Sequence, residues 1–441
     1  MDILVQSSPT INTLLAPACN LSIPFDGSKN NQKPLAAKKA KNLVDNTKSV
    51  HASVVPAPAP APAPASESVC ESTGSLLGGV GAARSERYKL QKAASDILFH
   101  LKKDDGRPFF RVTGCLRSKV EKGTVKILKG QKSDTCFFAN LQRCGSVWTC
   151  PVCAAQITNH RASEIIKAQE AHTKNGFMTL MLTLTHSHKL NTKLVDTMQN
   201  LPLALKYMRN QRAYKNLLQN YDYQGLIRAL ETTYSDVNGF HVHTHELLFF
   251  NKNALPLGKI KDVIFDCWLK ACKKYGLGEP SRARGVDLKV AFSPSDYLQK
   301  FDKSQNWGAA PELTKSHVKK GKNTSLTAFD FLRLASSTDS TIKNKYSDLF
   351  TEYALSFYGK RQLYWSRGLK KHFKIDEITD DEILEDELDD AEIVAEISPK
   401  NWTFICSLPF DVRGSLLRYA ELGGFDAVHT YIAYLKTEHA P

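Results

Sequence analysis

The sequence predicts a chain that mixes α-helices with β-strands, and three observations predict it. Apolar residues recur at helical spacing over 89–103, 157–174, 192–221 and 257–275. Runs rich in β-branched, aromatic and alternating residues occupy 177–185, 226–234 and 240–250. The last two flank Asp236-Val237-Asn238-Gly239, and Asn-Gly between strand-like runs is a strong hairpin signal.

In chain order, residues 1–85 read as an unstructured tail, because repeated Ala-Pro over 55–66 favours extended chain and Ser, Gly and Asn surround it. The helix at 89–103 is stopped by Asp105-Gly106-Arg107-Pro108, and strands are expected at 109–112 and 125–128. Pro202 is expected to break or kink the long helical stretch 192–221. A strand at 286–292 precedes a helix that opens at Pro294 or Ser295 and runs to Phe301. Residues 302–324 are polar and basic and read as a loop; 328–335 and 344–358 read as helices. An acidic linker is expected at 376–398 and a C-terminal helical segment at 399–441.

Charge is unevenly spread. There are 59 Lys and Arg against 45 Asp and Glu, a net +14, yet the stretch from Asp376 to Glu396 holds twelve acids and no Lys or Arg. The basic remainder attracts polyanions, and counterion release from nucleic acid is the usual gain. No run of about 18 apolar residues is present, so no membrane span is expected. The start lacks the charged-then-apolar order of a signal peptide, so the expected location is the cytoplasm. There the ten cysteines stay reduced, and clustered ones point to metal rather than disulfides.

Three segments carry candidate chemistry. His241, His243 and His245 alternate along a strand, which puts all three on one face, where neighbouring imidazoles can share one divalent ion. Glu231 on the partner strand completes that set only if the register allows. A loop of two or four residues turns it away; a loop of three, or a bulge, brings it round. Cys144, Cys150 and Cys153 have knuckle-like spacing, and a closed four-ligand zinc site needs one more donor; Cys115 and Cys136 compete for it, with His160 behind. Tyr297 and Lys300 share a face of the helix opened at Pro294, where a phenol can attack a phosphodiester and a cation can offset the growing charge.

Taken together, these segments resemble the replication initiators of small bacterial rolling-circle plasmids and related phages, within the HUH endonuclease superfamily. The resemblance runs through CGSVWTCPVCA at 144–154, FMTLMLTLT at 177–185, LETTYSDVNGFHVHTHELLFF at 230–250 and YLQKF at 297–301. It continues in the stretch from Trp307 to Leu332 and in YWSRGLK at 364–370. It covers about 86–375 and implies an α+β fold, a central antiparallel sheet flanked by helices, with a zinc-knuckle-like element. It implies that His243 and His245 hold Mg²⁺ or Mn²⁺ with His241 or Glu231 as third ligand. It implies Tyr297 as nucleophile beside Lys300, and Cys115, Cys144, Cys150 and Cys153 as a structural Zn²⁺ site. The implied partners are origin DNA, single-stranded or hairpin, and host helicase and polymerase, with Lys315, Lys319, Lys320 and Lys322 on phosphates. Some relatives read Glu-x-x-x-Tyr in the tyrosine motif; aligned on Lys300, Tyr297 takes the glutamate slot and Phe301 the tyrosine slot. Others read Tyr-x-x-Lys, which this chain fits. The rival readings are a transposase or relaxase of the same superfamily and a non-catalytic zinc protein that binds DNA.

Overall fold

The computed structural model describes residues 79–131, 135–291, 325–385 and 391–439. Most of the expected tail, and with it the Ala-Pro tract, lies outside the described residues. So do Tyr297, Lys300, Lys315, Lys319, Lys320 and Lys322.

Helix begins earlier than local periodicity indicated. α1 spans Gly79–Leu98, so residues 79–85 belong to the fold and not to the tail. The reason is tertiary: Arg84 forms a two-pronged pair with Glu421 at 2.6 and 2.7 Å, and Gly414 packs against Ser85 so closely that a Cβ there would meet its Cα at 2.6 Å. The strand expected at 109–112 is instead a 3₁₀ turn, Arg111–Thr113. Pairing stops at a single antiparallel bridge, Lys102 with Pro108, and the chain then turns and buries Phe110 and Val112.

Next come β1 (Val125–Gly130), β2 (Cys136–Ala139), α2 (Pro151–Lys174) and β3 (Met178–Leu184). The helical stretch that follows divides into α3 (Leu194–Asn210) and α4 (Arg212–Asn220). Pro202 is not the break. It sits exposed inside α3, where water can serve the carbonyl its missing N–H leaves free. The break is Gln211, extended at φ −65°, ψ 139° and held there by its side-chain amide donating to the Cys267 carbonyl at 2.8 Å.

β4 (Tyr223–Ser235) and β5 (Gly239–Phe250) form the long hairpin. α5 (Leu257–Lys274) and β6 (Val286–Val290) follow, then α6 (Ala328–Leu334), α7 (Ser340–Phe357), β7 (Leu363–Trp365) and α8 (Leu369–His372). The chain ends with α9 (Asp380–Glu385), β8 (Ala391–Ile397), α10 (Pro399–Ser407) and α11 (Arg413–Glu438), the last interrupted at Gly423 and Gly424.

The fold is α+β. One antiparallel sheet has the order β6-β3-β5-β4-β7, with β5 at its centre. α2 covers one face, setting Ala162, Ile165 and Ala168 against Ile227, Ala229, Leu247 and Phe249. On the opposite face Arg209 of α3 pairs with Glu246, which is fully buried. Covered on both sides, β5 is buried almost continuously, and only near its start does burial alternate and leave His241 and His243 partly open.

The second sheet has the order β2-β1-β8. Its third strand comes from the segment expected to be an acidic linker: Ala395 and Ile397 are buried while Glu392 and Glu396 face out. The high acid content masked this strand, whose alternation holds only over its last residues, since Ile393 is 55% exposed and the register shifts opposite Ile127 and Leu128. Among the described residues no helix is long and apolar enough to cross a membrane.

Candidate functional site

The β4–β5 register decides which side chains meet. Ser235 pairs with Gly239, so the connection is the three residues Asp236, Val237 and Asn238. Gly239 takes φ +76°, and a Cβ there would lie 3.1 Å from the Leu190 backbone. This loop length sets Glu231 directly opposite His243 and on the histidine face.

Glu231, His243 and His245 converge. Their ligand atoms lie within 4.8 Å of one another. Glu231 Oε2 stands 3.1 Å from His245 Nε2 and 3.6 Å from His243 Nε2. The opposite ring nitrogens are engaged elsewhere: His245 Nδ1 hydrogen-bonds with Thr183 Oγ1 at 3.0 Å, and His243 Nδ1 faces the His241 carbonyl at 3.4 Å. A metal ligand needs that kind of support, because a partner on one ring nitrogen fixes the tautomer and turns the other inward. Two imidazoles and a carboxylate make a three-donor set that leaves positions open on a divalent ion.

His241 shares the face but stands outside this convergence. Its ring stacks on His188 at 4.7 Å and 8°. Burial, then the imidazoles of His243 and His188, push its pKa down to about 3. Of the two third ligands the sequence left open, Glu231 is the one brought in. Thr183, His186 and His188 were missed. The strand ending Thr-Leu-Thr and the following His-Ser-His were the available signals, but neither shows from sequence that it meets β5. Replacing Thr183 with valine is expected to weaken Mn²⁺ binding about 10–100-fold in a calorimetric titration. An unchanged affinity would remove Thr183 from that supporting role.

A second convergence lies at the start of α2. Cys115, Cys144, Cys150 and Cys153 are all buried with their sulfurs grouped. Cys115 lies 3.7 Å from Cys150 and 3.6 Å from Cys153, and Cys144 lies 3.8 Å from Cys153. Cys150 caps the helix, its sulfur accepting from the Cys153 N–H at 3.5 Å, with Pro151 opening the first turn. Thiol hydrogen bonds from Cys115, Cys144 and Cys150 hold Cys153 well below the ordinary thiol range. Four thiol donors suit a closed structural site. Cys136 is not part of it and sits on β2, its N–H donating to Glu421. His160 turns to Glu164 at 3.6 Å.

The family described as "Replication protein" matches residues 137–406, a span that includes β5, Glu231, the knuckle cysteines 144, 150 and 153, and the segment bearing Tyr297. The chain is similar to a "Protein rep" of Streptomyces lividans, 25% identical over 295 residues, covering 54% of this chain and 64% of that protein. It is also similar to a "Neomycin resistance protein" of Streptomyces cyanogenus, 26% identical over 132 residues, covering 24% of this chain and 30% of that one. The chain thus spans less than two thirds of the length of either relative. No solved structure matches it. With the match covering well over half of its length, this chain belongs to the replication protein family.

Proposed function

We propose that the chain initiates rolling-circle replication by nicking one strand of its origin DNA, with Tyr297 as nucleophile. The observation that carries this reading is the convergence of Glu231, His243 and His245 where the central strand opens to solvent. Leu326, the second described residue after the segment bearing Tyr297, is bridged to Tyr234, three residues along β4 from Glu231. The described chain therefore resumes, at Leu326, at the end of the sheet where the candidate ligands lie.

In this reading Glu231, His243 and His245 hold Mn²⁺ or Mg²⁺, and imidazole donors favour the former. The bound ion supplies Lewis acidity toward a phosphate oxygen. The Tyr297 hydroxyl gives up its proton and its oxygen attacks phosphorus, the P–O3′ bond breaks, and the leaving 3′ oxygen takes up a proton in exchange. The phosphodiester survives as a 5′-phosphotyrosine, and the free 3′-OH primes a host polymerase. Attack of a 3′-OH on the phosphotyrosine later reverses the exchange and rejoins the strand. Lys300 offsets charge on the phosphate, and Lys315, Lys319, Lys320 and Lys322 contact neighbouring phosphates. The four cysteines hold a structural Zn²⁺ and take no part in the chemistry, because four protein ligands leave no open position.

Tyr297→Phe tests the proposal. Incubation with single-stranded origin DNA and Mn²⁺ is expected to yield a covalent protein–DNA adduct from the wild type and none from the variant, with DNA binding kept by both. Equal nicking by the two would refute the assignment.

A further inference from the structure

A cleft of about 980 Å³ runs between the cysteine knuckle and the edge strand β7, outside the cluster of candidate metal ligands. Its lining is basic and aromatic. Lys360, Arg361 and Arg367 contribute to it and have no acidic partner among the described residues. Arg111 adds an exposed guanidinium, 3.9 Å from Asp381 at the rim. Of the two acids in the lining, Asp380 is taken by Arg161 at 2.8 Å, which leaves Glu377. Tyr358 is 55% exposed and packs against Phe109 at 4.6 Å, so a large apolar ring stands at the surface among cations.

We propose that this cleft binds single-stranded DNA, with Lys360, Arg361 and Arg367 on phosphates and the Phe109–Tyr358 corner stacking a base. Unpaired cations beside exposed aromatic rings are what an unpaired strand requires: charge along its backbone and a flat face for its bases. The position fits as well. Leu363 pairs with Ala229, and the Leu230 N–H donates to the Gln362 carbonyl at 2.9 Å, so the chain at 361–362 runs alongside Leu230 and Glu231. Glu231 lies two residues beyond Ala229, ~7 Å along the strand. A strand seated in the cleft therefore leads toward the Glu231, His243 and His245 cluster. Only this delivery to a cut site rests on the nicking proposal; the binding does not.

The test is fluorescence anisotropy of the full chain with a labelled twelve-nucleotide oligothymidylate over a range of salt. The triple variant Lys360→Ala, Arg361→Ala, Arg367→Ala is expected to lower the slope of log affinity against log salt by about 2, since each phosphate contact on a single strand contributes about 0.7. Tyr358→Ala is expected to weaken binding roughly tenfold at every salt concentration, and Tyr358→Phe to restore it, because stacking needs the ring and not the hydroxyl. Tyr358 is exposed, so this pair reports even if the triple variant does not fold. Wild-type affinity and slope in a folded triple variant would overturn the proposal. So would tighter binding to a duplex of equal length or to an acidic peptide, or identical weakening by Tyr358→Phe and Tyr358→Ala. A wild type that binds the oligonucleotide through these residues yet never nicks would overturn the nicking reading and leave the cleft in place.

Discussion

Replacing His243 and His245 together with alanine is expected to lower strand cleavage by about a thousandfold or more in the presence of Mn²⁺. Both Nε2 atoms point at Glu231 within 3.6 Å, so the double variant removes two of the three candidate donors. Lewis-acid stabilisation of a transferring phosphoryl group contributes several kcal/mol, and about 4 kcal/mol corresponds to three decades of rate. The fold is expected to survive, because β5 keeps its backbone pairing with β3 and β4 on both sides. Cleavage of a labelled origin oligonucleotide, read beside near-ultraviolet circular dichroism, separates lost chemistry from lost structure. A folded double variant that cuts at the wild-type rate would detach this cluster from the reaction. Glu231→Gln keeps shape and removes charge, and is expected to weaken the ion more than the fold.

The second large effect concerns the cysteines. Cys150→Ala or Cys153→Ala is expected to release one equivalent of zinc and lower the melting temperature by on the order of 10 °C. Structural zinc sites carry binding free energy comparable to the whole stability of a domain, so losing one ligand outweighs an ordinary core truncation. At ~2 °C per kcal/mol for a large domain, a loss of ~5 kcal/mol gives that shift. The position of the cluster adds to the effect. Cys115 follows the 3₁₀ turn below α1, while Cys150 and Cys153 begin the helix that covers the sheet. Cys136→Ala is the control, since Cys136 is equally buried but outside the group. It is expected to keep its zinc and lose only the stability of a small cavity. Calorimetry and a colorimetric zinc release assay read both quantities. A purified wild type with no bound metal and an unchanged melting temperature in Cys150→Ala would make these four ordinary thiols.

Much of this arrangement was legible locally. Period two places His241, His243 and His245 on one face whatever surrounds them, and Asp236-Val237-Asn238-Gly239 announces the turn between their strand and its partner. The Cys-x-x-Cys turn at the head of a helix likewise carries its own geometry. The acidic strand β8 was not legible, because a short apolar run carrying Glu392 and Glu396 beside a block of acids reads as a solvated run until β1 lies beside it. Nor was the early start of α1, which depends on Glu421, 337 residues away from Arg84.

From the sequence by itself came the mixture of helices and strands, the shared face of the three histidines and the knuckle spacing, all set by residues close together in the chain. Only the tertiary structure brought Glu231 rather than His241 into the cluster, and it set Cys115, the cysteine the resemblance implied, beside the knuckle while Cys136 stays apart. Those choices turn on the residue count of a loop, on the stacking of His188 against His241, and on which distant turn is buried beside α2. Contacts between residues far apart in the chain settle each of them, and local periodicity holds no record of such contacts.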